Sequence, residues 1–194
     1  DALTYITTSD ARDNLRLFTV ADYTFILNKK TTVAKSTSVS SSRDPEGIVF
    51  IKQASSATTF KVFLNGVSVG SITADADADT LVTNVATAMS SVSGFTVTKF
   101  GSSNVHVTRA DGADFTLHAE APEANMTAIK DSVVDFTDLP ARTKDGFTIK
   151  ITGDPSSGTD DYWIKHNNQA DEDVGEWVET VEPGLANSLD ATTM

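Results

Sequence analysis

Cysteine is absent from this chain of 194 residues. Its absence excludes disulfide bonds, thiolate nucleophiles and zinc sites built on cysteine. Apolar runs are also short: none approaches the ~20 residues of a membrane-spanning helix, so we expect no membrane span. No segment has the pattern of a signal peptide. The fold must come from a packed core, and an apolar content of 39% is enough to build one.

Basic residues are few as well. The chain has 15 Lys and Arg against 27 Asp and Glu, which gives a formal net charge of −12. Binding to DNA without sequence preference is therefore not expected, because it needs Lys and Arg to displace counterions from the phosphates. An acidic surface repels DNA and would suit a wall past which DNA slides. Acidity is also an ordinary route to solubility, and from charge alone we favour that interpretation.

The central part of the chain has the pattern of a hairpin, a helix and a run of strands. Apolar residues alternate over 60–64, which predicts a strand, and Asn65-Gly66 is a strong signal for the tight turn of a hairpin. One helical stripe is formed by Leu81, Val85, Ala88 and Val92. Gly94 is expected to stop that helix, and three further alternating runs follow at 95–98, 105–108 and 115–118. One main helix packed on a small antiparallel sheet is the simplest arrangement.

Strand patterns also occupy the flanks, at 23–28, 147–152, 161–166 and 176–181. The predicted fold class is therefore α+β, β-dominated, with antiparallel sheets. We predict that residues 1–45 and 138–194 pair into one discontinuous β-rich unit and that 46–122 form an inserted hairpin–helix–strand module. Residues 123–137 are the predicted connector, with a short helix capped by Asn125. Two sequential domains are the alternative, and pairing of 23–27 with the strand of Tyr162 or Trp177 would distinguish them.

The spacing Asp75-x-Asp77-x-Asp79 resembles the opening of a calcium-binding loop. Such a loop needs Gly at its sixth position and Glu at its twelfth, where this chain has Thr80 and Ala86. Acidic residues before a helix also accept hydrogen bonds from its free N–H groups and complement its dipole. We therefore interpret the three aspartates as the start of the central helix.

No other residues have the spacing of a catalytic or metal site. The acidic groups at 160–161 and 171–173 lie in predicted loops without sign of the cleft that glycoside hydrolysis requires. His106, His118 and His166 fall on predicted strands without metal-ligand spacing, and neither a nucleophile elbow nor a phosphate-binding loop occurs. We therefore predict no catalytic, cofactor-binding or metal-binding residue, no cofactor and no enzymatic activity.

Four aromatic residues could form a platform for a carbohydrate or a base: Tyr23, Tyr162, Trp163 and Trp177. Aromatic residues that alternate along strands more often belong to a core or to a contact between subunits. We favour that second interpretation.

Three groups of residues carry a resemblance to a known family. The first is the strand pattern at 18–29, FTVADYTFILNK. The second runs from Asp138-Leu-Pro140 through Asp145-Gly-Phe147 to Gly153-Asp154. The third combines DYWIK at 161–165 with GEWVETVEPG at 175–184. In this order they resemble the tail tubular protein B family, the nozzle proteins of T7-like short-tailed bacteriophages.

The resemblance implies a structural protein of the virion, located in the phage tail. Such proteins form a ring, typically a hexamer, at the distal end of the tail beside a ring of another tail tubular protein. Together the rings form the conduit through which the genome is ejected. DNA passes through that channel without specific binding. Because the chain opens on Asp1 rather than Met and ends at Met194 without a terminal motif, we expect a piece of a longer protein. The resemblance implies that this piece is the N-terminal part of one subunit.

Two other functions remain open at this point. A module of the tail that binds a host-surface glycan or receptor would expose aromatic residues such as Trp163. A tail-associated glycan hydrolase would need two carboxylates facing each other across a cleft.

Overall fold

The computed structural model describes residues 2–154, 156–158, 161–168 and 175–185. Contacts divide the chain into two compact units. The terminal unit comprises Asp1–Ser42 with Glu182–Met194, and the main unit comprises Arg43–Val181.

The terminal unit is built on a β-hairpin preceded by two short helices. Helices α1 (Ala2–Ile6) and α2 (Ala11–Asn14) lead into strands β1 (Leu15–Val20) and β2 (Tyr23–Asn28). The strands pair antiparallel from Leu15 opposite Asn28 to Val20 opposite Tyr23. Asn28 anchors the base of the hairpin, because its backbone N–H donates to the Tyr5 hydroxyl at 2.9 Å and its side-chain amide to the Tyr5 carbonyl at 2.6 Å.

The main unit contains one long helix and eleven strands among its described residues. In chain order these are β3 (Glu46–Ile51), β4 (Lys61–Leu64), β5 (Val67–Ser68), α3 (Ala78–Ser90), β6 (Phe95–Phe100), β7 (Asn104–Arg109), β8 (Leu117–Glu120), β9 (Met126–Ile129), β10 (Ser132–Val133), β11 (Thr148–Ile151), β12 (Tyr162–Asn168) and β13 (Gly175–Thr180). They form sheets of order β6-β7-β3-β9, β5-β4-β8 and β10-β11-β12-β13. All pairs are antiparallel except β10 with β11.

Strand β3 separates two hydrophobic cores. Val49 and Ile51 lie in the first core with the helix residues Leu81, Val82, Val85 and Met89. Ile48 points to the other face of the sheet and joins the second core, where Ile129, Leu139, Phe147, Ile149, Ile151 and Ile164 are buried. Because successive side chains of a strand point to opposite faces, one apolar strand serves both cores.

The structure confirms the fold class as α+β and β-dominated with one main helix. The predicted Asn65-Gly66 turn is present, with φ values of +51° and +73° at the two residues, as a type I′ turn requires. The helix is present as well, although it ends at Ser90, before Gly94.

The predicted helix after Asn125 is wrong. Residues 126–129 form β9 instead, which pairs antiparallel with β3 from Ile51 opposite Met126 to Ile48 opposite Ile129. Met126 and Ile129 are buried by this pairing. Tertiary pairing with the edge of a sheet thus overrides a weak local helix pattern, because the ladder satisfies the backbone of both strands.

The predicted boundaries at residues 45, 122 and 138 do not coincide with the two units. Strand β3 pairs with β9, beyond residue 122. Among the described residues, β2 pairs with β1, whereas β12 pairs with β11 and β13. The pairing of 23–27 with the strand of Tyr162 or Trp177 is therefore not seen there, and the assignment of domains stays a prediction.

Candidate functional site

The three aspartates of the calcium-like spacing serve the start of helix α3. The Asp77 carboxylate accepts a hydrogen bond from the Thr80 N–H at 2.8 Å and is the N-cap. Asp75 accepts from the Asp77 N–H at 2.8 Å, and Asp79 pairs with Lys99 at 2.7 Å. The bond from the Thr80 N–H lowers the pKa of Asp77. In the part of the chain that the structure describes, no group of three or more acidic, His or Cys side chains is placed to hold a metal ion.

Replacement of Asp77 tests the capping role. Asp77→Ala is expected to lower the free energy of unfolding of the main unit by about 1 kcal/mol, because one N–H of the first helical turn loses its partner. Asp77→Asn keeps a capping oxygen and should retain most of the stability. Urea unfolding of both variants measures the difference. Equal losses for Ala and Asn would contradict the capping role.

The histidines are not brought together. His118 is exposed on β8, 3.5 Å from Glu120. His166 is fully buried on β12, where burial lowers the pKa of its imidazole, and its ring packs edge-on against Trp177. His106 is buried on β7. His106 and His166 are joined only indirectly, through the rings of Phe147 and Trp177.

A buried polar cluster joins His106 to two distant residues. The Glu46 carboxylate accepts hydrogen bonds from His106 Nε2 at 2.8 Å and from the Lys144 ammonium at 2.7 Å. Glu46 is 3% exposed. Burial raises the pKa of its carboxyl, but the bonds from His106 and Lys144 outweigh burial and hold the pKa below its ordinary value. No spacing pattern in the sequence predicts this cluster, and its one signal is an acidic residue at the start of an apolar strand.

Among the described residues of the main unit, the other acidic and aromatic candidates do not assemble into a site. Asp161 forms an ion pair with Lys150, while Asp160 and residues 171–173 lie outside the described residues. The Trp177 indole donates to the Pro140 carbonyl at 2.9 Å and packs against the second core. Trp177 is paired with His166, so these two side chains share one face of the sheet. Trp163 lies three residues before His166 on the same strand and therefore points to the opposite face, because successive side chains alternate.

The described surface of the main unit has several depressions, of which two lie beside the residues discussed above. One of about 650 Å³ is bordered by Lys52 and Lys61, whose ammonium groups are paired with Asp138 and Glu120. The other, of about 490 Å³, is here called the apolar groove. Its apolar lining is Phe136, Leu139, Pro140 and Trp177, and Glu176 stands among its lining residues.

The most unusual feature of the terminal unit is a large apolar surface on its hairpin. Seven large apolar side chains of β1 and β2 are between 42% and 73% exposed. We call these residues the hairpin surface: Leu17, Phe18, Val20, Tyr23, Phe25, Ile26 and Leu27. Soluble proteins rarely expose contiguous apolar patches of this kind unless the patch binds a partner.

Both faces of the hairpin are apolar. On one face, Phe18 stacks on Phe25 with ring centroids 5.1 Å apart. The pair Val20 and Tyr23 lies on one side of these rings, towards the turn, and Leu27 lies on the other side, towards the base. The other face presents Leu17 opposite Ile26. An isolated two-stranded hairpin is only marginally stable in water. This geometry is therefore suited to a contact with another surface.

The described part of the chain contains no helix with the length and apolarity needed to cross a membrane.

Comparisons with known proteins agree on one family. The family model for the bacteriophage nozzle protein matches residues 1–194. The tail tubular protein gp12 of Escherichia phage T7 is similar, with 27% identity over 195 residues. The aligned region covers 91% of this chain and 24% of that protein. The chain thus spans about a quarter of the length of this curated relative.

Proposed function

Because the chain belongs to the bacteriophage nozzle protein family, structural proteins of the phage tail, we propose that it is part of a subunit of the distal nozzle ring. The subunit packs against other copies of itself in a hexameric ring and against the neighbouring tail tubular protein. The ring forms part of the conduit for genome ejection. The family match over residues 1–194 carries this proposal.

The hairpin surface supports a role in assembly. A subunit of a ring must present apolar surface that its neighbours cover, and seven exposed apolar side chains on one hairpin provide such a surface.

The charge of the chain supports a role in the conduit. A net charge of −12 repels DNA, so a channel lined by such subunits lets the genome pass without adhering. Lys and Arg that would hold phosphates are in the minority, 15 against 27 acidic residues. A reconstruction of the intact tail that places the acidic surfaces of the main unit on the outside of the ring would overturn this part of the proposal.

Immunogold electron microscopy of intact parent particles tests the location. An antibody raised against the chain is expected to place gold at the distal end of the tail tube. The same antibody absorbed with purified chain is the control and should leave the particles unlabelled. Label confined to peripheral fibres would overturn the nozzle assignment and favour binding of a host-surface receptor. If intact tails stay unlabelled, label on the tips of partly disrupted tails supports the proposal, and none there contradicts it.

A further inference from the structure

We propose that the hairpin surface of one copy docks on the main unit of a second copy, at the apolar groove. The contact is head-to-tail, with a different surface used on each partner. This inference rests on the proposed function, because it names the surfaces through which copies meet in the ring.

The size of the hairpin surface fits such a contact. A fully exposed large apolar side chain offers ~200 Å², so the exposed fractions of the five side chains on the face of Phe18 and Phe25 correspond to roughly 560 Å². A stable interface of standard size buries about 800 Å² on each partner. This face of the hairpin thus supplies most of the area of one side of an interface.

The charges of the two units favour a contact between the hairpin of one copy and the main unit of another. The hairpin carries three exposed basic residues, Arg16 on β1 and Lys29 and Lys30 directly after β2. Its turn carries one acidic residue, Asp22. Residues 1–42 contain five basic and four acidic residues, and residues 182–194 of the same unit add two acidic ones, so the terminal unit is nearly neutral. Residues 43–181 contain ten basic and twenty-one acidic residues. The hairpin of one copy is therefore attracted to the main unit of another.

The same charges disfavour a symmetric contact in which two hairpins run parallel. Such a contact would bring Lys29 and Lys30 of two copies together at the rim, where like charges repel. A contact between unlike surfaces avoids this repulsion. Contacts of that kind form a closed ring when the rotation between neighbours closes, which agrees with the ring of the proposed function.

The apolar groove offers the matching chemistry on the main unit. Phe136 is 47% exposed and Val134, two residues before it, is 54% exposed. Glu176 lines the groove and Asp135 adjoins it in sequence. An apolar floor with acidic neighbours complements an apolar hairpin with basic residues at its base.

Photo-crosslinking between isotopically distinct copies tests the contact. A photoreactive phenylalanine replaces Tyr23, the most exposed residue of the hairpin surface at 73%. Labelled and unlabelled chains are mixed, and mass spectrometry assigns each crosslink to one chain or to two. We expect crosslinks between two chains that fall within 134–141 or 175–181. The same probe at Val67, 60% exposed on β5, is the control and should give no such crosslinks.

Every other pattern overturns the inference. Crosslinks within one chain would mean that the hairpin covers its own main unit. Crosslinks between two hairpins, crosslinks elsewhere on a second copy, or no crosslinks between copies would exclude this contact.

Charge reversal provides a second measurement that leaves the strands intact. Lys29→Glu with Lys30→Glu is expected to weaken self-association at least about tenfold at low salt, with a smaller effect at high salt. The double variant Lys35→Glu with Lys165→Glu changes the net charge equally at exposed lysines outside the hairpin, and it should stay within about twofold of the parent chain. Sedimentation equilibrium measures both. Equal effects of the two variants would contradict the inference.

The two proposals fail separately. Gold label at the distal tail together with crosslinks confined to single chains would overturn the docking surface and leave the nozzle assignment. Crosslinks between copies at the apolar groove together with label on fibres would overturn the nozzle assignment and leave the contact.

Discussion

Phe147→Ala is expected to lower the free energy of unfolding of the main unit by about 3–5 kcal/mol. Phe147 is fully buried in the second core. Its ring packs edge-on against His106 and Trp177, with centroids 6.1 and 6.2 Å away. Truncation removes these contacts and leaves a cavity between the β6-β7-β3-β9 sheet and the β10-β11-β12-β13 sheet, because close-packed interiors relax only in part.

Urea unfolding followed by tryptophan fluorescence measures this loss. Both tryptophans, Trp163 and Trp177, lie on strands of the main unit, so the signal reports that unit directly. Phe136→Ala is the matched control, because Phe136 is 47% exposed and its truncation should cost less than about 1 kcal/mol. If the two variants lost equal stability, Phe147 would not have the central place in the second core that the structure gives it.

Glu46→Gln is expected to cost about 3 kcal/mol of stability at neutral pH. The substitution removes the negative charge that His106 and Lys144 share at one carboxylate oxygen. The Glu46 side chain is 4% exposed and the Lys144 side chain 39% exposed. Removing the buried charge leaves His106 and Lys144 without their charged acceptor, which costs more than the pair contributes. Glu120→Gln is the matched control, because the Glu120 side chain is 49% exposed beside Lys61 and a surface pair contributes less than about 1 kcal/mol.

The difference between the parent chain and Glu46→Gln should depend on pH. The pKa of Glu46 lies below its ordinary value of 4.5 in the folded protein. A carboxyl with a lowered folded pKa stabilises the fold at pH values above the unfolded pKa and loses this contribution as the pH falls through the folded pKa. The contribution of the Glu46 charge to the stability difference should therefore shrink as the pH falls below about 4.5.

Urea midpoints measured from neutral to acidic pH test this dependence. Other carboxyls with lowered pKa values, such as Asp77 and Asp135, titrate in both proteins and cancel in the difference. A difference that stays constant down to the lowest pH would show that Glu46 does not stabilise the fold through its charge.

Local patterns were sufficient for several elements. Alternation over 60–64 and the Asn65-Gly66 turn predicted a hairpin that the structure contains. Asp77 caps α3 as the acidic residues before the helical stripe indicated. These features depend on neighbours within a few residues, so the sequence specifies them without knowledge of the rest of the fold.

Local sequence patterns do not predict features that depend on residues far apart in the chain. Strand β9 was predicted as a helix, because its pairing with β3 joins residues far apart in the chain. The Glu46 cluster joins residues 60 and 98 positions apart, and no spacing rule connects them. Only the tertiary structure brings such residues within hydrogen-bond distance.

The hairpin surface shows most clearly which properties follow from the sequence and which follow only from the tertiary structure. The sequence by itself determined that 23–28 is an apolar strand and, through its order of motifs, that the chain is related to phage nozzle proteins. An apolar strand is expected to be buried. Only the tertiary structure decided that seven apolar side chains of β1 and β2 stay exposed, because burial depends on which elements pack above a strand and not on the residues within it.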